Sequence, residues 1–349
     1  MSKRHLAFGR FATLLALVVF SVGLGVTAQS GPPVLLVDNS EKQELCNDPA
    51  LIAYPCSRTL QEAVGRASGS AVILVMPTGQ PYSGFEVRGN IRALLIQGFR
   101  GLPTIQGNIT IEGELQVILQ DLIVQGDPAI SIGVSGSAPL FTRLQNLQVE
   151  SKGTGVRVGQ AGIVEILDSA LCGGSCVQPG GASGCGIELA SSGRSAIVLQ
   201  GKEGLTAIWG FTDGICSKGA QQSRGLYLVN AEVAFNAQHG LNVRGDPTRP
   251  ENFFLLMQNS TIQFNGQDGV RLESLQGFVW GNNIRFNARH GVVLDGSGEV
   301  DISYNNIFAN GDCGALKLLE PMKVTGSGNE ILGNGRDLCG DFPPDFRRP

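Results

Sequence analysis

Residues 259–270 read NSTIQFNGQDGV and residues 282–293 read NNIRFNARHGVV. Four residue types recur in one order 22 positions apart: Ile262 with Ile284, Phe264 with Phe286, Asn265 with Asn287 and Gly269 with Gly291. The aliphatic position continues as Val233, Ile262, Ile284, Ile307 and Ile331, at steps of 29, 22, 23 and 24. The asparagine three places later keeps the same steps, as Asn236, Asn265, Asn287, Asn310 and Asn334. A related form stands upstream as DLIV at 121–124, NLQV at 146–149 and DSAL at 168–171, with Asp or Asn three residues before Val124, Val149 and Leu171. The 62 residues from Leu171 to Val233 leave room for two more units and a cysteine-rich loop.

Each unit holds short alternating stretches, such as GVRV, GLYLV, GVRLE and GVVLD, separated by Gly, Asn or Asp. Alternation puts one face in and one face out, and no intervening segment has the helical period of a βαβ crossover. A period of about 22–25 residues with several strands per unit predicts a parallel β-helix, in which equivalent positions stack one coil apart, about 4.8 Å. Ile262, Ile284, Ile307 and Ile331 then form an inward aliphatic column, and Phe235, Phe264 and Phe286 an aromatic one. The asparagines form a ladder of side-chain amides at a turn with unusual backbone angles.

Solenoid ends need covers. In RTLQEAVGRA, residues 58–67, Leu60, Ala63, Val64 and Ala67 share one helical face, with Thr59 as N-cap and Glu62 three places on. This segment is read as the N-terminal cap, and the proline-bearing tail CGDFPPDFRRP as cover for the other end.

Lys3, Arg4 and Arg10 precede the apolar stretch FATLLALVVFSVGLGV, and Val26-Thr27-Ala28 supplies small residues for a cleavage site. Residues 1–28 are therefore read as a signal peptide, too short in its apolar part for a membrane span. The divisions that follow are 29–69 for an N-terminal segment with the capping helix, 70–340 for the β-helix and 341–349 for a tail. Removal of three positive charges takes the net charge from −4 to −7. With no dense basic cluster, nucleic acid is not the expected partner. A secreted, periplasmic or cell-surface location also suits the eight cysteines, an even number that favours disulfides. Aligning DCG at 312–314 with LCG at 338–340 puts Cys313 above Cys339 in neighbouring coils, within disulfide reach. Cys46 and Cys56 form a local pair. Cys172, Cys176, Cys185 and Cys216 allow three pairings, and a thiolate metal site in LCGGSCVQPGGASGC is disfavoured by its spacing.

The opening VLLVDNSEKQELC, then RTLQEAVGRASGSAVILVMPTGQPYSG, resembles the start of secreted bacterial right-handed parallel β-helix repeat proteins, which share the pectate lyase fold. Pro77, Gly79 and Tyr82 stand in the turn after the first strand of that pattern. The resemblance implies an exposed leading strand and an all-β, single-domain right-handed solenoid over residues 34–340. Such proteins include polysaccharide lyases, glycoside hydrolases and binding proteins, so fold does not fix activity.

His239, Asp268, His290 and Cys313 each lie three residues after a ladder asparagine and just before a glycine. Stacked, His239, Asp268 and His290 can act as a proton relay or a metal site. The competing reading is a plain turn, because Asp, Asn and His before glycine tolerate left-handed backbone. The seven extra residues of the 233–262 unit, centred on GDPTRPEN, are placed to wall a groove, and Arg244, Arg271, Arg285 and Arg289 to face acidic sugars. GQDG at 266–269 and RHG at 289–291 resemble part of the polygalacturonase pattern, but Gly269 replaces its second aspartate. A lyase of this fold needs a basic residue and calcium-binding carboxylates; Asp295, Glu299 and Asp301 read instead as a solvated rim. The expectation is an exported scaffold that binds a polysaccharide or another envelope component, with no cofactor. The alternative is a polysaccharide lyase or glycoside hydrolase acting on an acidic polysaccharide, with calcium if a lyase.

Overall fold

A computed structural model of the chain describes residues 32–348 apart from 90, 135–137, 191–193, 203–204, 218, 220–223 and 319–321. The expected signal peptide lies outside the described residues. From Val34 on, short strands pair in parallel with the equivalent strand of the next coil and build three columns of strands. The first column runs through Arg224–Val229 and Phe253–Gln258, the second through Thr261–Gln263 and Asn283–Arg285, and the third through Asp213–Ser217 and Leu241–Arg244. Val270–Trp280 and Val292–Ser303 each serve the third column with their first half and the first column with their second.

The repeat is a stacking register. Val124, Val149, Leu171, Ile208, Val233, Ile262, Ile284, Ile307 and Ile331 align coil on coil, all buried. Burying each such side chain contributes about 1.5–3 kcal/mol relative to exposure. Ile208 fills the gap between Leu171 and Val233, so two coil steps cross it and the first carries the cysteine-rich loop.

The asparagine ladder is present. Asn236, Asn265 and Asn287 each donate through Nδ2 to the Oδ1 of the next asparagine at 2.9–3.0 Å, and Asn310 donates likewise to Asn334 at 2.9 Å. The same Oδ1 atoms accept the backbone N–H of the preceding ladder residue. A second ladder links Asn282, Asn305 and Asn329 at 3.0 Å. It ends at the tail, where Asn329 donates to the Phe346 carbonyl at 2.8 Å. Phe346 is fully buried, so the tail covers the last coil there.

The aromatic column differs from its expected place. Phe235, Phe264 and Phe286 stack with centroids 5.1 Å apart, but 58%, 43% and 41% exposed respectively, outside the core. They also hold the left-handed backbone that precedes each ladder asparagine, with φ of 53–55°.

At the N-terminal end the helix Leu60–Arg66 buries Leu60, Ala63 and Val64, and Thr59 Oγ1 accepts the Glu62 N–H at 3.1 Å. The leading strand Val34–Val37, expected to be exposed, is buried and pairs with Gly69–Val75. No helix among the described residues is long and apolar enough to cross a membrane.

All eight cysteines are paired: Cys46–Cys56, Cys172–Cys176, Cys185–Cys216 and Cys313–Cys339. The expected pair Cys313–Cys339 forms with Cα atoms 6.1 Å apart, but diagonally. Cys313 aligns with Arg336, and Cys339 with Leu316. The cysteine-rich loop therefore holds disulfides and no thiolate metal site.

Candidate functional site

The turn leading into the third strand column brings Asp213, His239, Asp268, His290 and Cys313 into one row. Each polar side chain accepts a backbone N–H from the next coil. His239 donates to Asp213 Oδ1 at 3.0 Å, Asp268 to His239 Nδ1 at 3.4 Å, His290 to Asp268 Oδ1 at 3.3 Å and Cys313 to His290 Nδ1 at 3.1 Å. Glycine follows each of them because the coils approach closely. A Cβ at Gly240 would lie 2.5 Å from the Gly269 carbonyl oxygen and 2.9 Å from the Asn265 amide nitrogen. The expected turn explanation needs correcting: His239, Asp268 and His290 are absent from the left-handed positions, which fall on Phe235, Phe264 and Phe286. These residues are chosen as acceptors for a neighbouring coil. Asp213, in TDGI, was missed in the sequence because a buried Phe211 takes the ladder position ahead of it; its Asp-Gly pair was the available signal.

Asp268 is fully buried. Burial pushes its carboxyl up, but the bond to His239, the charges of His239 and His290 and the His290 amide together hold it below the usual carboxylate range. Its Oδ2 faces His239 Nδ1 at 3.3 Å and Arg271 Nη1 at 3.8 Å. His239 Nδ1 thus faces both the Asp268 amide and the Asp268 carboxylate. When neutral it accepts from the first; when protonated it donates to the second.

Burial lowers His290; the charges of Asp268 and Asp312 oppose it, partly offset by those of Arg289 and Arg271, and burial prevails. In the neutral ring Nδ1 is taken by the Cys313 amide, so the proton sits on Nε2. Near that atom stand Arg289 Nη2 at 3.5 Å and Asp312 Oδ2 at 3.9 Å. The ring offers an N–H there, not a basic lone pair.

Three of the four arginines gather beside this row. Arg244 pairs with Glu273 at 3.1 Å and Arg289 with Asp312 at 3.5 Å. Arg271 has Asp268 and Asp295 at 3.8 and 3.9 Å, beyond hydrogen-bond length. Arg285 belongs to the second strand column, where it donates to Gln263 and lies over Phe286 and Phe308. The 245–252 loop reaches across two coils, with its Pro247 carbonyl accepting from Ser297 Oγ at 2.8 Å. Asp295 lies by Arg271, whereas Glu299 and Asp301 face out from the first column. Among the described residues no three His, Cys, Asp or Glu side chains are grouped to hold a metal ion.

Residues 213–339 match the family model described as right handed beta helix region. Among solved structures, the chain is similar to a double mutant of the periplasmic alginate epimerase AlgG, with 14% identity, 77% of this chain and 74% of that chain covered, and a TM-score of 0.52. A single mutant of the same epimerase aligns with 14% identity, 78% and 75% coverage and a TM-score of 0.51. No curated protein matches the sequence. The parallel register, the two amide ladders and these matches make the chain a right-handed parallel β-helix protein.

Proposed function

We propose that this is an exported carbohydrate-active protein that acts on an acidic polysaccharide at the edge around Arg271. The observation that carries this reading is the state of Arg271. Its side chain is 34% exposed, and both carboxylates near it stand beyond hydrogen-bond length, so its planar fork has donors to offer a uronate carboxylate. The 245–252 loop bounds the same edge, and the His290 N–H can serve as a further donor. The likeness to structures named as alginate epimerases supports an enzyme over a passive scaffold. Export is supported by the residue pattern at 1–28 and by four disulfides.

A second reading, binding without turnover, is favoured by one observation. The Nδ1 atom of each histidine lies against a backbone amide and Asp268 is buried, which leaves the row poor in free bases. The deciding experiment incubates the purified mature chain with alginate and polygalacturonate, with and without calcium. Unsaturated ends are followed by ultraviolet absorbance and uronate stereochemistry by NMR. Turnover that falls about tenfold to a hundredfold in Arg271→Ala is expected. Retention on the polymer without any product would establish the binding reading. Neither product nor retention would refute both.

A further inference from the structure

The first strand column carries a surface that the Arg271 edge does not use. Tyr227, Phe254 and the pair Phe278 and Trp280 point outward from three successive strands, and Tyr304 stands at the following turn. Phe278, Trp280 and Tyr304 are 49%, 44% and 52% exposed. In a chain with only 22 aromatic residues, summing 16 Phe, 2 Trp and 4 Tyr, five on one stretch of sheet form a patch that needs a reason.

Their geometry separates them from the phenylalanine stack. Phe235, Phe264 and Phe286 lie nearly parallel, 8–9° apart, so their faces cover one another. On the sheet, Tyr227 and Phe254 meet at 45° with centroids 6.0 Å apart, and Phe254 and Phe278 at 60° and 5.9 Å. Trp280 and Tyr304 meet edge to face at 6.1 Å. Rings so tilted leave faces open. Tyr227 leans over its own strand, since a Cβ on Gly225 would meet its ring at 2.6 Å.

We propose that this face is a stacking surface for the sugar rings of a neutral polysaccharide. An aromatic face carries partial negative charge and attracts the weakly positive C–H face of a pyranose. The polar rim supplies the complement for hydroxyl groups. Asp301, aligned with Phe278, accepts from Ser303 at 2.6 Å and Thr325 at 3.2 Å. Glu299 is bonded to Lys323 at 2.7 Å. Two carboxylates against one ammonium repel a uronate and suit a chain of uncharged hydroxyls. The surface crosses four coils, about 15 Å at the inter-strand spacing, long enough for several sugar rings. It is distinct in charge and place from the Arg271 edge.

The test uses the full mature chain with cellohexaose, laminarihexaose, mannohexaose and oligogalacturonate as probes, read by titration calorimetry and tryptophan fluorescence. Trp280 is one of only two tryptophans. Saturable binding of at least one neutral hexasaccharide is expected, weakened roughly tenfold or more by Phe278→Ala with Trp280→Ala. Trp280→Phe should restore part of that loss. Arg271→Ala should leave neutral binding unchanged, which separates this surface from the acidic-polysaccharide reading. The proposal is overturned if no neutral hexasaccharide binds, or if the double substitution leaves binding intact. It is equally overturned if the wild type is a dimer in light scattering that the double substitution makes monomeric, since the face would then be a contact between copies.

Discussion

His290 accepts the Cys313 amide at 3.1 Å through Nδ1, and that bond exists only while this nitrogen is unprotonated. The folded chain therefore lowers the histidine, with burial as the first cause. Below the ordinary histidine value of about 6.5 the unfolded chain binds a proton that the folded chain resists. Stability from this residue is complete above that pH and is lost as pH falls through the folded value. Asp268, also lowered, adds its own loss further down, below the unfolded carboxyl value of about 3.9. Both act in the acid direction. His290→Asn replaces the ring nitrogen by an amide oxygen that accepts the same N–H without titrating. The variant should show a flatter dependence of unfolding free energy below about pH 6.5 than the wild type, measured by urea denaturation. An unchanged slope would show that the Cys313 bond does not control the ring.

At the scale of the element, the terminal strand Arg336–Cys339 has no buried residue. Its attachment depends on ladder residue Asn334, on backbone pairing with Cys313–Lys317 and on the Cys313–Cys339 bridge. Replacing both cysteines by serine should cost the last coil about 3 kcal/mol, as expected for a loop of this length. Hydrogen exchange should accelerate first in 323–339 and leave 224–303 protected; uniform acceleration would mean that the coils unfold as one unit. This coil also shows what the sequence made legible. The aliphatic column from Val233 to Ile331 and the asparagine three places after each member hold in every coil, because an inward side chain or a ladder amide tolerates few replacements. The cysteine pair was readable for the same reason, but not its diagonal register, since a disulfide accepts a range of offsets. The second ladder of Asn282, Asn305 and Asn329 was hidden because asparagine also stands beside it in NNI, where only one of two adjacent amides points inward. The left-handed phenylalanines defied residue preference, which assigns that backbone to Asn, Asp or Gly; stacking along the solenoid axis offsets the strain, and no single coil reveals it.

For the whole molecule, the 245–252 loop tests whether architecture and site are separable. The coil from Val233 to Ile262 spans 29 residues and the next, to Ile284, spans 22. Arg244 aligns with Glu273 and Phe254 with Gln276. Gly245 and Phe253 therefore correspond to Ser274 and Leu275, which are adjacent in the chain. Deleting 246–252 gives the shorter coil the same path that its neighbour already follows. The variant should fold with a melting temperature within about 3 °C of the wild type, a change below roughly 1 kcal/mol. It loses the Pro247–Ser297 contact and the boundary beside Arg271. The Michaelis constant for an acidic polysaccharide should then rise with kcat little changed, as when uniform binding is removed. Phe254 and Phe278 keep their places, so neutral hexasaccharide binding should persist. A melting temperature lowered by ten degrees or so would instead assign the loop to the stability of the solenoid, and an unaltered Michaelis constant would remove it from the site.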